Sequence, residues 1–378
     1  MRRVVVVVVI GSVAGLALVA GPGRASLYSS DTQFAIPFED GKALRLPFDE
    51  FKRRRAVLMN AMVEPKLGEE TNPDRKAFLD RIHKRMPAPG DTPRQRQEKE
   101  QALKKLPARD AAELAADLLR VGQVDQALNL LLPRTTDRRP DYFVFSTLAH
   151  VHAARGEWAD ALRYHTEGRF DTRMADELKG MSKGQLAWWD KLDADYVAPF
   201  YRLRAEDAAA RAKGTALDRE QIDEQEEILP LFPPPEDGKP HQPVRFVNEA
   251  GEYQPGTIAA AEKAKLPPDA VAVVQQLILW FPGDVRLYWL LAELYAAEDD
   301  LDAAIAIFDE CTWSLKYGNR KLLMDHRAAV RAVLDERAKP PEQLVTVRRI
   351  LLYFGVVGVV ALFALGRVVY RRVRAARV

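Results

Sequence analysis

Cysteine is nearly missing from this chain: Cys311 is the only one in 378 residues. That excludes an intrachain disulfide and any paired-cysteine metal or redox site. Charge of one sign is missing too. The 56 basic residues meet 54 acidic ones, for a net of +2, whereas a nucleic-acid binder shows a basic excess on one face. There is no HExxH, no phosphate-cradling glycine loop and no GxSxG, so none of the common catalytic spacings is available. No enzyme, cofactor or metal is expected on these grounds. What is present is a globular composition, 47% hydrophobic and 29% charged, long enough for one large or two ordinary domains with real cores.

The two ends carry the longest apolar runs. At the N-terminus Arg2 and Arg3 precede an uncharged stretch from Val4 to Ala20, broken by Gly21, Pro22 and Gly23 and followed by Ala25. This is the layout of a secretory signal peptide, so residues 1–25 are expected to direct export. At the C-terminus, 350–366 is free of charge, and the stretch reaches Tyr370 if Arg367 snorkels. A bilayer core takes roughly 20 apolar residues as helix, so 350–370 is expected to be a transmembrane helix that uses the lipid bilayer as its partner. Arg371, Arg372, Arg374 and Arg377 follow it, and clustered arginines favour the inner side. The expectation is a single-pass cell-membrane protein with a cytoplasmic tail over 371–378. Its main domain is then periplasmic, whether the first segment is cleaved or kept.

Residues 26–106 read as an extended and helical segment with a linker. A hairpin is expected around Asp40-Gly41, a helix capped by Asp49 from Glu50 to Met62, and a second after Asn72-Pro73. A charged linker containing Pro87, Pro89, Gly90 and Pro93 follows.

From Pro107 the pattern repeats. ELAADLLRVGQVDQALNLLL lies beside STLAHVHAARGEWADALRYHTE. Gly122 and Gly156 are 34 residues apart, and so are Ala127 and Ala161. LLAELYAAEDDLDAAIAIFDEC has the same outline later in the chain, with Asp299 where the others have glycine. Stepping 34 residues back from Ala304 lands on Ala270, and Thr257 to Lys265 is a short candidate helix before it. The pattern resembles the tetratricopeptide repeat, whose period is about 34 residues and whose unit is two antiparallel helices. That resemblance implies a mainly α fold of helix-pair repeats in two pairs, 107–175 and 251–340.

A helical and proline-rich insertion, 176–250, separates them. Its Trp189, Leu192, Tyr196, Phe200 and Leu203 fall on one helical face, interrupted by Pro199. A capping box at Thr215–Asp218 opens another helix to Leu229. A small hairpin is expected around Ala250-Gly251. The insertion is expected to pack on the repeats through its aromatics.

The resemblance also implies where a partner lies, since ligands of that family occupy the groove lined by each unit's first helix. Carried over by position, the groove residues are Arg109, Ala116 and Arg120, then Phe143, Ser146 and His150, then Arg286, Trp289 and Glu293. Such a mixed polar and aromatic surface suits a protein or peptide partner and implies an interaction scaffold. Two other readings stay open: an enzyme whose site lies in the insertion or the N-terminal segment, and a structural component of an envelope assembly. His150 and His152 are two apart and face different sides of a helix, so a shared metal is not expected. Cys311 is expected to be a packed thiol, and one of Trp188 and Trp189 to lie in the core.

Overall fold

Three tight turns, at Gly122, Gly156 and Asp299, set the frame of the protein. All three residues have positive φ, at 77°, 76° and 64°. The hydrogen bonds repeat too. Gln123 N–H, Glu157 N–H and Asp300 N–H donate to the carbonyls of Leu118, His152 and Tyr295 at 2.9 Å. This is the Schellman arrangement, in which a left-handed residue lets the chain satisfy a helix's last carbonyls. Glycine takes that conformation freely, and aspartate is one of the few other residues that tolerates it. Five residues after each turn stands a fully buried alanine, Ala127, Ala161 or Ala304, where a small side chain lets the second helix lie close against the first.

A computed structural model describes residues 36–339 apart from 40–41, 67–68, 70, 139–140, 173–181 and 236–239, and then residues 352–359, 361–363 and 365–367. The described residues are mainly helical, with one two-stranded antiparallel ribbon. They fall into two units, Met1–Ala329 and Val330–Val378.

In the first unit the ribbon is β1 (Phe38–Glu39) and β2 (Lys42–Ala43); the expected turn at 40–41 lies outside the described residues. Then come α1 (Phe48–Met62), α2 (Pro73–Arg85) and α3 (Pro93–Lys104). Asp49 does not cap α1: it sits in the first turn, and Pro47 occupies the cap position. Asn72 does cap α2, accepting from Arg75 N–H at 2.8 Å. α3 falls where a linker was expected. Thr92 and Gln95 form a capping box there, and this outweighs a sequence with no buried side chain of its own.

Two helical hairpins follow, α4 (Ala108–Arg120) with α5 (Val124–Leu131) and α6 (Tyr142–Ala154) with α7 (Trp158–Asp171). Next are α8 (Lys183–Leu192), α9 (Ala198–Lys213) and α10 (Ala216–Glu224). A π-helical turn at Asp193–Val197 joins α8 to α9. Pro199 follows it and has no N–H for the regular ladder, so the interruption expected from proline is a widened turn. Thr215 and Asp218 form the expected box, but α10 ends at Glu224 and does not reach Leu229.

The expected unit before the last hairpin is not a helix pair. Its first helix shrinks to the single turn α11 (Ala260–Lys263), and only α12 (Ala270–Trp280) is substantial. Pro267 and Pro268 separate the two. The hairpin expected at Ala250-Gly251 is a turn without strands, closed by Asn248 N–H to Glu252 O at 2.8 Å. The last hairpin is α13 (Val285–Ala297) with α14 (Leu301–Asp309), and α15 (Lys321–Ala338) closes the series.

The first unit folds back on itself. α1 packs on α12 and α2, α2 packs on α4, and α9 packs on α7. Gln275 ties the N-terminal strand region to α12: it accepts from Leu46 N–H at 2.7 Å and donates to Leu46 O at 3.0 Å. Every residue of α6 and α12 is buried, so neither helix keeps a solvent face.

The C-terminal segment corrects the expectation of a transmembrane helix. Among the described residues no helix is long and apolar enough to cross a membrane. Residues 352–359, 361–363 and 365–367 are helical there, and the rest of the expected span 350–370 lies outside the described residues. The signal segment 1–25 and the tail 371–378 lie outside the described residues.

Candidate functional site

The expected groove is not a groove. Of its residues only Arg109 is partly exposed. Ala116, Arg120, Phe143, Ser146, His150, Arg286, Trp289 and Glu293 are each at most 7% exposed. The physical reason is that the insertion, α12 and the segments around α15 lie on these faces and fill them.

On α6 the filling is aromatic. The His150 ring stacks on Phe281 at 4.6 Å and 17°, and Phe281 also meets Phe200 at 4.7 Å. Trp189 meets Trp280 at 4.9 Å, as expected of insertion aromatics, with Trp189 as the core member of its pair. Trp188 stays partly exposed and donates from Nε1 to Asp269 at 2.7 Å. Five such side chains, Trp189, Phe200, Tyr201, Trp280 and Phe281, are each at most 1% exposed. At about 2 kcal/mol apiece their burial contributes about 10 kcal/mol in gross transfer.

His150 Nδ1 lies 3.0 Å from the Ser146 carbonyl and 2.9 Å from the Tyr201 hydroxyl. A carbonyl only accepts, so Nδ1 carries the proton. Burial pushes the imidazole down to about 3, and it is neutral at physiological pH. Close by, Asp193 at the head of the π-helical turn is fully buried. Its Oδ2 lies 3.1 Å from His165 Nε2 and 2.9 Å from Arg169 Nη1. Burial alone raises a carboxyl, but His165, Tyr142 and Arg169 together overcome this and hold Asp193 down to about 2. These histidine, aspartate, serine and tyrosine side chains lie at 0–4% exposure. Such a set cements α6, α7 and α9 but gives a substrate no approach.

On α13 the filling is ionic. Arg286 pairs with Asp207 of α9 and donates to Glu227 O at 3.2 Å. Glu226 takes Arg320 Nε at 2.8 Å and also pairs with Tyr317. Burial raises the Glu226 carboxyl, but Tyr317, Arg320 and Arg286 bring it below its ordinary value. Glu293 accepts from Trp289 Nε1 at 2.8 Å and faces His326 Nδ1 at 2.8 Å. Tyr253 stacks on His326 at 3.5 Å. Cys311, expected as a packed thiol, is fully buried, and burial pushes its titration up, which leaves it unreactive.

Open concavities lie beside Arg286, lined by Asp207, Arg211, Ile222 and Glu226, beside α2 at Ile82, His83 and Met86, and between α1 and α2, where the largest apolar lining is exposed. Val57, Leu58, Ala77, Phe78 and Leu279 form an apolar floor, and Arg53, Arg54 and Arg81 stand over it with Asp74. Arg53 and Arg54 bind Glu50 at 2.7 and 2.6 Å, and Arg81 binds Asp117 at 2.8 Å. The FKRRR run at 51–55 and the apolar stripe of α1 were the available sequence signals for it. They do not distinguish a helix with one buried face from one that also borders a cleft.

His150 and His152 do face apart. His152 Nδ1 points to Glu157 Oε2 at 2.7 Å, at the turn between α6 and α7.

No protein-family model matches the chain, and no curated protein or solved structure is significantly similar to it. The tetratricopeptide resemblance therefore rests on the 34-residue interval and the shared turn geometry alone.

Proposed function

We propose that the chain is a protein-interaction scaffold of helical hairpins, not an enzyme, and that its partner docks in the cleft between α1 and α2. The observation that carries this reading is the contrast in exposure. The histidine, aspartate, serine and tyrosine set shared by α6, α7 and α9 is sealed in the interior, while the α1–α2 cleft is open and joins an apolar floor to an arginine rim. Arginine and apolar anchors are what peptide recognition uses most. The cleft-lining side chains carry three arginines against one aspartate, so the reading commits to a peptide segment with apolar anchors and acidic flanks. Glu50 and Asp117 already hold the arginines, so a ligand carboxylate shares or replaces an existing pair. The surface pairs of Arg53 and Arg54 with Glu50 contribute about 1 kcal/mol or less, which suits weak, reversible docking. Export by residues 1–25 belongs to the same reading.

Selection of a displayed random-peptide library on the purified chain tests it. The expected outcome is enrichment of acidic peptides with apolar anchors, abolished by the double variant Arg53→Glu/Arg54→Glu. Absence of enrichment, or enrichment indifferent to that reversal, would defeat the proposal.

A further inference from the structure

The second hairpin turn carries a side-chain set that the other two lack. Among the described residues His152, Glu157 and Asp160 form a group of three whose ligand-capable atoms all lie within 4.8 Å of one another. The equivalent positions are Leu118, Gln123 and Gln126 in the first hairpin and Tyr295, Asp300 and Ala303 in the last. Those hairpins close with the same backbone bonds, so the turn itself does not require the three.

We infer that His152, Glu157 and Asp160 bind a divalent transition-metal ion such as Zn²⁺. The backbone sets the placement. His152 is the residue whose carbonyl receives the Glu157 N–H at 2.9 Å, so the Schellman turn brings those two side chains together. Asp160 then projects from the first turn of α7. His152 Nδ1 and Glu157 Oε2 are 2.7 Å apart, closer than two ligands of one ion, so this pair parts slightly when an ion enters. Zinc bonds to nitrogen and carboxylate oxygen are about 2.0–2.2 Å long, so the side chains adjust by rotation while the backbone stays.

Two further observations point the same way. His152 is 9% exposed, and its Nε2 has no hydrogen-bond partner among the described residues. Its ring stacks on Tyr164 at 4.8 Å and 19°, which fixes the orientation. Arg155 Nε holds the other oxygen of Glu157 at 2.8 Å, and Arg163 Nη2 holds Asp160 Oδ1 at 3.0 Å. Outer partners of this kind orient metal ligands, although their positive charge weakens the site. One imidazole with two carboxylates favours a borderline ion over Mg²⁺ or Ca²⁺, which take oxygen alone. With three protein ligands on a partly exposed turn, water completes the coordination.

Titration calorimetry of the full chain with ZnCl₂ tests the site, with Co²⁺ absorption reporting the ligand set. One saturable site is expected, at least tenfold weaker in Asp160→Asn and in Glu157→Gln and unchanged in His83→Ala. Both carboxylates are at the surface, so these two variants keep the fold, and circular dichroism checks that they do. Absence of saturable binding, or binding that Asp160→Asn and Glu157→Gln leave unchanged, overturns the inference.

Discussion

α6 and α13 are equivalent helices of two hairpins, and their inner faces are filled in opposite ways. Phe143, Ser146 and His150 on α6 stand where Arg286, Trp289 and Glu293 stand on α13. The first set is covered by stacked rings around a neutral imidazole. The second is covered by a lattice of ion pairs running through Asp207, Glu226 and Arg320. Both faces end up largely buried, which teaches that a helical hairpin does not define a groove. Whether one exists depends on what the rest of the chain lays upon it. Here the insertion and the C-terminal segments of the first unit take both faces, and an apolar-floored opening is left between α1 and α2.

The contrast breaks most sharply at Phe281. Phe281→Ala removes a fully buried ring touching His150, Phe200 and Tyr201, and chemical denaturation should register a loss of about 3–5 kcal/mol. Glu226→Ala on the ionic side leaves Arg286 and Arg320 without a shared carboxylate. A loss of about 3 kcal/mol is expected there, read from the same denaturation curves.

Acid should separate the two faces. His150 titrates near 3 when folded and at an ordinary 6.5 when unfolded. The unfolded chain therefore takes up the proton first, and stability falls as pH drops below about 6.5, by about 1.4 kcal/mol per unit. Asp193 and Glu226 are depressed carboxylates, and their contribution is lost only as pH falls below their ordinary values of 3.8 and 4.5. The slope between pH 6.5 and 4.5 should become shallower by about one proton's worth in His150→Gln and remain in Glu226→Gln. Denaturation midpoints across that range check this. The smallest effects belong to the turns. Gly122→Ala should cost about 1 kcal/mol, while Asp299→Gly should gain about 0.5 kcal/mol, because φ is positive at both positions.

Much of the frame was legible in sequence. The glycine-to-alanine spacing marked the hairpins α4/α5, α6/α7 and α13/α14, and Asp299 kept the same turn as glycine because a short polar side chain tolerates positive φ. The aromatics of α8 and α9 were read as packing residues. The groove was not legible, for a physical reason. A polar or charged side chain on a helix face looks the same in sequence whether it meets water or a buried partner. Arg286 and Glu293 find Asp207 and His326 at distances of 79 and 33 residues along the chain. α3 was missed because its capping box lay inside a charged, proline-marked stretch. The grouping of His152 with Glu157 and Asp160 is not legible in sequence because it depends on the turn at Gly156, which folds the start of α7 back beside the end of α6.

Thiol labelling tests the filled face against the open cleft most directly. Cys311 is replaced by alanine to remove the only native thiol. Ser146→Cys then places a thiol on the inner face of α6, and Ala77→Cys places one in the α1–α2 cleft. Under native conditions a maleimide should modify Cys at 77 at the rate of a free thiol. Cys at 146 should react orders of magnitude more slowly, limited by opening of the core. Equal, rapid modification of both would mean that the inner face is open, and it would contradict this account.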